Sequence, residues 1–316
     1  MDILSDILSL LKVQGTLYFR SSWSPPWGVE VPAFRNVARF HHAHRGSCWF
    51  SVEGVPGEQE LAEGDLLIIP HGARHALRHA PGAETRTVDQ VVEDSGFSGR
   101  GTLVYGGHEN QDLETQMICG HFAFAEDASH PLLEALPPYI HIKKADDIAT
   151  LWLDTTLKLL GSVAGRVQLG SDIIAIKLAE VIFTQAIRAY LLADESKAII
   201  FRGLKDPQIN RVLGAIHEDW RQGWTLDSMG RVAGLSRTVF AERFRALMGM
   251  TPMQYLTMWR MQHARQLLVS SDQPVVSVAE QSGYLSEAAF SRAFKQHFDK
   301  APATYRREAE QPSGMA

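Results

Sequence analysis

The sequence predicts a chain in two parts, a β-rich jelly-roll barrel followed by an all-α half built around a duplicated helix-turn-helix. Three observations carry this. From about residue 15 to 125 the segments are short and apolar, as in TLYFR, CWFSVEG, DLLIIP, GTLVYGG and MICGHFAF, and Gly or Pro separates them. Over 146–165 and 171–194 the apolar residues instead recur every three or four positions. Finally, GLSRTVFAERFRALMGMTPMQY at 234–255 returns fifty positions later as YLSEAAFSRAFKQHFDKAPATY. The overlay pairs Leu235 with Leu285, Ser236 with Ser286, Phe240 with Phe290, Phe244 with Phe294, Pro252 with Pro302 and Tyr255 with Tyr305.

Composition agrees with two globular parts. The 316 residues are 45% hydrophobic and 21% charged, which is enough to bury two cores. No apolar run approaches the ~20 residues that span a bilayer, so no membrane partner is expected. The N-terminal MDILSDILSLLKVQG lacks a basic leader and reads as a short amphipathic helix rather than a signal peptide. Two cysteines, Cys48 and Cys119, are too few for a disulfide framework, and a cytoplasmic location is expected. The net charge of -5 is unevenly spread, because residues 207–308 carry 13 Lys+Arg against 9 Asp+Glu. Ten of the 13 histidines lie between His41 and His141. The mildly basic C-terminal part suits a polyanion, whereas the His-rich part has other work.

Taken in order, residues 1–140 form the barrel and 141–206 a helical linker or dimerisation region. Asp206-Pro207 opens a helical domain, 207–308, and 309–316 is a loose tail. The helix-turn-helix units occupy about 224–248 and 276–298. In the first, Leu226, Met229 and Val232 line one side of a short helix that Gly234 ends. Ser236 caps the next helix, whose Phe240, Phe244 and Leu247 turn inward. Its outward face shows Arg237, Thr238, Ala241, Glu242 and Arg245. In the second unit Ser286 is the cap, and Glu287, Ala288, Ser291, Arg292 and Lys295 face out. Roughly Pro252–Leu268 joins the units as one helix of ~25 Å. That length holds two recognition helices on one face, where major-groove windows recur every ~34 Å.

Residues 210–308 resemble the DNA-binding domain of the AraC/XylS family of bacterial transcription regulators. The resemblance rests on Gly283-Tyr284-Leu285-Ser286, Phe290-Ser291-Arg292-Ala293-Phe294-Lys295, Pro302 and Tyr305-Arg306. It implies promoter DNA as partner, with Arg237, Thr238, Ala241 and Glu242 at base edges from one unit and Glu287, Ala288 and Arg292 from the other. Glu242 departs from the family, where a basic residue is common; an acid accepts from cytosine N4 but repels phosphate. A homodimer is expected, and RNA polymerase is a partner if the protein activates.

In GDLLIIPHGARH, Gly64, Pro70, Gly72 and His75 match the second motif of the cupin barrels, G-x5-P-x-G-x2-H. The first half as a whole resembles the cupin-type sensor domains found ahead of AraC-type DNA-binding domains. The first cupin motif is altered, since His42-Ala43-His44 is followed by Cys48 where a Glu is usual. His42 and His44 lie two apart in a strand and face one way. Together with Cys48, His75, Cys119 and His121 they form a candidate sensor cluster. Its readings are a zinc or copper site using His42, His44, His75 and Cys119, an oxidant sensor using the two thiols, a pocket for a small organic effector, or a barrel that merely scaffolds. The reading of the whole chain is an effector-responsive, sequence-specific transcriptional regulator. The alternative is a metal-dependent cupin enzyme with a helical appendage.

Overall fold

The computed structural model describes residues 2–11, 13–99, 101–107, 114–124, 130–144, 148–163, 169–193 and 199–310. The elements run α1 (Ile3–Leu11), β1 (Val13–Ser24), β2 (Gly28–Val31), β3 (Val37–Arg45), β4 (Cys48–Val52), β5 (Gln59–Leu61), β6 (Leu66–Ile69), β7 (His75–Arg78) and β8 (Arg86–Thr87). Next come α2 (Val88–Ser95), β9 (Thr102–Gly106), β10 (Thr115–Phe124), α3 (Pro131–Glu134) and β11 (Ile140–Ile142). The chain then stays helical through α4 (Ile148–Val163), α5 (Ser171–Ala193), α6 (Ile199–Lys205), α7 (Pro207–Glu218), α8 (Leu226–Ala233) and α9 (Arg237–Met248). It ends with α10 (Pro252–Ser270), α11 (Val275–Gln281), α12 (Glu287–Phe298) and α13 (Pro302–Glu310).

Two compact units result. One holds Lys12–Glu126 and Leu136–Asp194; the other holds Met1–Leu11, Asp127–Ala135 and Glu195–Ala316. This division differs from the expected one at 140/141 and 206/207. The N-terminal helix and the segment around His130 belong with the C-terminal helices, whose described part opens with α6 at Ile199.

In the first unit two sheets face each other. Their strand orders are β11-β6-β3-β10-β1-β9 and β5-β4-β7-β2-β8. Side chains alternate across a strand, so one face of each sheet meets the other in a core that includes Trp23, Val29, Ala43, Phe50, Leu67, Leu77, Met117 and Cys119. The outer face of the larger sheet is also covered. Phe122 lies 5.0 Å from Phe40 and 5.0 Å from Phe183 of α5. Burial on both faces gives β3 and β10 nearly continuous burial rather than a clean alternation. Two motif glycines are required by backbone geometry: Gly64 sits at φ 89° and Gly72 at φ 60°. A Cβ on Gly72 would come within 2.7 Å of the Val37 carbonyl oxygen. The turn that carries the chain into His75 therefore admits no other residue.

The second unit is assembled from capped helices. Asp206 accepts from the amides of Gln208 and Ile209 at the start of α7. Thr225 and Ser228 form a capping box on α8, and Gly234 ends it in the left-handed region. Ser236 and Ser286 accept from the amides of Val239 and Ala289 and start α9 and α12. Phe240, Phe244, Phe290 and Phe294 are fully buried. Met248, rather than the expected Leu247, completes the inner face of α9. The linking helix α10 continues to Ser270 and spans about 28 Å. Its Met261, Ala264 and Leu268 enter the core of the second helix-turn-helix. α13 reaches Glu310, so Ala309 and Glu310 are helical rather than part of a tail; residues 311–316 lie outside those described.

Candidate nucleic-acid interface and sensor site

α9 and α12 present matching outer faces. Arg237, Thr238, Glu242 and Arg245 are exposed and Ala241 is half-buried. On α12, Glu287, Ala288, Arg292 and Lys295 are exposed and Ser291 is half-buried, while Ser236 and Ser286 stand exposed at the caps. The expected outward residues thus occupy the outward faces. Arg237 approaches Asp227 at 3.7 Å with both side chains largely in solvent. Such a pair contributes little and leaves the guanidinium available to a base or phosphate.

In the barrel, register decides which histidines face the lumen. His41 is opposite Cys119, and Cys119 points into the core. His42 therefore faces the other way, and its Nδ1 meets the Asp65 carbonyl at 3.1 Å; His44, two residues on, shares that outer face. The expected grouping of His42 and His44 with His75 and Cys119 does not occur, because it is out of register by one residue. His41 takes that place. Nothing in the sequence separates His41 from His42 as the inward residue, because β3 is buried on both faces.

The lumen holds a continuous hydrogen-bonded chain. Trp23 Nε1 donates to Ser21 Oγ at 2.7 Å, and Ser21 Oγ lies 3.9 Å from Cys119 Sγ. Cys119 Sγ is 3.2 Å from His41 Nδ1, and His41 Nε2 is 2.8 Å from His75 Nε2. His75 Nδ1 is 2.8 Å from the Ala73 carbonyl. The two ends fix the direction, since an indole only donates and a carbonyl only accepts. His75 must donate from Nδ1, so its Nε2 accepts from His41, and His41 Nδ1 accepts the Cys119 thiol proton. Every member is neutral and satisfied. Burial agrees: it holds His41 well below its ordinary value, lowers His75 to about 4 and pushes the Cys119 thiol up to about 12.

Two expectations fall on this geometry. Burial works against an oxidant sensor built on a Cys119 thiolate beside an imidazolium, because it disfavours both charges. Cys48 shares the apolar core with Cys119, remains free, and has its pKa raised chiefly by burial. The donors also do not fit a zinc or copper ion. Two nitrogens on one tetrahedral ion stand about 3.3 Å apart, whereas His41 and His75 are at hydrogen-bonding distance, and Cys119 engages the opposite ring nitrogen of His41. Among the described residues no group of three or more His, Cys, Asp or Glu is placed to hold a metal. Arg39 adds a fixed positive charge that depresses His41, His75 and His121 further. His121 lies directly opposite Arg39 in register. Arg39 Nε and His121 Nδ1 are buried without a hydrogen-bond partner among the described residues. Arg39, Ser21 and Trp23 join His41 as lumen groups that the sequence did not single out.

Comparison with known proteins completes the picture. A family model described as a cupin matches residues 2–192, and one described as a helix-turn-helix domain matches 229–308. A putative AraC-like transcription regulator of Streptomyces lividans is 31% identical over 99% of this chain and 100% of its own length. The transcriptional regulator AlkR of Acinetobacter baylyi is 28% identical over 98% of this chain and 100% of its own. Among solved structures, the DNA-binding domain of AdpA in complex with a target DNA is 32% identical, covering 34% of this chain and 99% of that one, with a TM-score of 0.32. The relatives are regulators, not enzymes, and the alternative of a cupin enzyme falls. No helix among the described residues is long and apolar enough to cross a membrane. A cupin first half joined to a duplicated, capped helix-turn-helix, matched end to end by such relatives, makes this chain a DNA-binding transcriptional regulator of the AraC family.

Proposed function

We propose that the chain is a one-component, effector-responsive activator whose α9 and α12 read promoter DNA in the major groove. The observation that carries this is the repeated, serine-capped helix with a polar, partly basic outer face. Arg237, Thr238, Ala241 and Glu242 supply base contacts from α9, and Glu287, Ala288 and Arg292 from α12. Arg245 and Lys295 approach phosphates. The barrel lumen receives the effector, with His75, His41, Cys119, Arg39 and His121 as its polar lining. A cationic Arg39 among neutral imidazoles argues for an organic effector over a metal ion. The apolar side chains Trp152, Ile173, Ile174 and Val181, exposed on α4 and α5, serve a second copy of the chain. RNA polymerase contact and a cytoplasmic location follow from that role.

The test is enrichment of bound fragments from genomic DNA, followed by single substitutions. Affinity falls steeply as salt rises, because phosphate contacts release counterions. Arg292→Ala relaxes preference at one or two base pairs and costs roughly 1–3 kcal/mol there. Lys295→Ala weakens all sequences alike and lowers the salt slope by about one. An unchanged specificity profile for Arg292→Ala would remove that residue from the readout. For the sensor, His75→Ala abolishes transcriptional response in cells while the purified chain still binds its fragment; a retained response assigns sensing elsewhere.

A further inference from the structure

Arg260 lies midway along α10, where the two helix-turn-helix bundles join. Its Nε donates to the Trp220 carbonyl at 2.7 Å and its Nη2 to the Gln222 carbonyl at 2.8 Å. Both carbonyls belong to the loop between α7 and α8, in the first bundle. The same guanidinium stands 5.8 Å from the ring centroid of Tyr284, in the turn of the second bundle. Beside it, Gly283 runs so close that an added Cβ would come within 2.8 Å of Arg260 Nη2 and 2.9 Å of the Arg221 carbonyl oxygen. The loop ahead of one helix-turn-helix and the turn inside the other therefore meet around a single side chain. One turn further along α10, His263 stacks on Trp220 at 3.8 Å and 6°, which holds the loop against the same helix.

We propose that Arg260 is a positioning residue that fixes the separation and rotation of α9 and α12, so that two recognition helices read DNA as one site. The proposal rests on the reading that both helices contact DNA. Its physical basis is the leverage of a shared helix. The first bundle packs on Tyr255 and Trp259 of α10, and the second on Met261, Ala264 and Leu268. A helix that joins two cores end to end resists bending less than a cross-braced one. A turn of about 10° moves a point about 20 Å away by about 3.5 Å, one base step. A planar guanidinium with two bonds to fixed carbonyls braces that junction, and the point charge of lysine does not reproduce the fork. With the brace in place, the second helix meets its window at high effective concentration; without it, that advantage is diluted over many orientations.

The experiment uses the full chain and a duplex that it enriches from a random-sequence pool. Three probes are compared: that duplex, the same duplex with either half scrambled, and the same duplex with one base pair inserted between the halves. Arg260→Lys is expected to lower affinity for the intact duplex about tenfold, to leave affinity for the half-scrambled duplexes where it was, and to flatten the penalty for the insertion. Gly283→Ala, which reaches the brace from the second bundle at φ 75°, is expected to do the same. Thermal melts check that both variants fold. An equal loss on intact and half-scrambled duplexes overturns the proposal, because Arg260 then acts through a phosphate or through general stability. No loss on any duplex overturns it as well. A wild-type chain whose enriched duplex tolerates scrambling of either half overturns the two-helix reading itself, and the positioning role with it.

Discussion

Between about pH 7.5 and about pH 5 the chain is expected to lose several kcal/mol of stability in each of its units. The cause is a set of imidazoles that are buried neutral. In the barrel, His75 titrates at about 4 and His41 well below its ordinary value. In the other unit, burial lowers His130 and His217 to about 3 and His263 to about 4. An unfolded histidine takes up its proton near 6.5. Below that pH the unfolded chain binds protons that the folded chain refuses, so stability is complete above ~6.5 and is lost as pH falls from there toward 3–4. At pH 5 each imidazole that titrates at about 3 to 4 costs about 2 kcal/mol, and His41 adds to the loss in the barrel. Asp6 works in the opposite direction, since burial raises its pKa and its protonation relieves a cost. It is one partly exposed group against several buried imidazoles and does not reverse the sign.

Urea unfolding followed at several pH values reads this directly. A midpoint that stays flat from about pH 7.5 to about pH 5 would contradict the neutral imidazole assignments. His130→Asn sharpens the test. His130 is the N-cap of α3 and accepts from the Leu132 amide at 3.1 Å through Nδ1. Asparagine keeps a capping oxygen and removes the proton site. Near pH 7.5 the variant is expected to lose about 1–3 kcal/mol, because the buried ring's bond to the Tyr255 hydroxyl goes with it, while its further loss on acidification is smaller by the share of one histidine.

What the sequence made legible was local and periodic. The 50-residue repeat, the caps Ser236 and Ser286 and the buried pairs Phe240/Phe244 and Phe290/Phe294 all depend on spacing within one helix, and each stands where spacing put it. Gly64, Gly72 and His75 were legible because a turn with positive φ constrains residue type. His41 was not legible. Choosing between His41 and His42 requires the pleat register of β3, and α5 hides that register by covering the outer face of the sheet. Arg260 was equally hidden, because its partners are the backbone carbonyls of Trp220 and Gln222, which carry no signature in side-chain type. The place of α1 could not be read either. Its amphipathic face predicts that it docks, but not on what.

That docking leads to the second large effect. Ile7→Ala is expected to cost about 2–5 kcal/mol, and to cost it in the C-terminal unit rather than in the barrel that follows α1 in sequence. Ile3, Ile7 and Leu10 are spaced along one face of α1 and all are buried, Ile7 completely. α1 belongs to the unit of the DNA-binding helices, where it packs on α7. Two polar ties hold it there. Gln266 of α10 donates to the Leu10 carbonyl at 2.9 Å, and His217 Nδ1 donates to Asp6 Oδ2 at 3.2 Å. The second tie ends a directed chain like the one in the barrel. His130 accepts the Leu132 amide at Nδ1, so its Nε2 donates to the Tyr255 hydroxyl at 3.4 Å; that hydroxyl donates to His217 Nε2 at 2.8 Å. His217 in turn stacks on Trp259 at 3.7 Å and 3°. A cavity at Ile7 therefore loosens a helix that the α7–α10 core uses as a wall, and Asp6→Ala leaves His217 Nδ1 buried without its acceptor, which costs a further ~1–3 kcal/mol. Amide hydrogen exchange locates the damage. Protection is expected to drop along α7 and the first half of α10 and to persist along β3 and β10. The opposite pattern, with the sheet opening and α7 unchanged, would return α1 to the barrel; an unchanged α7 with an unchanged sheet would show that the helix bears no part of the core.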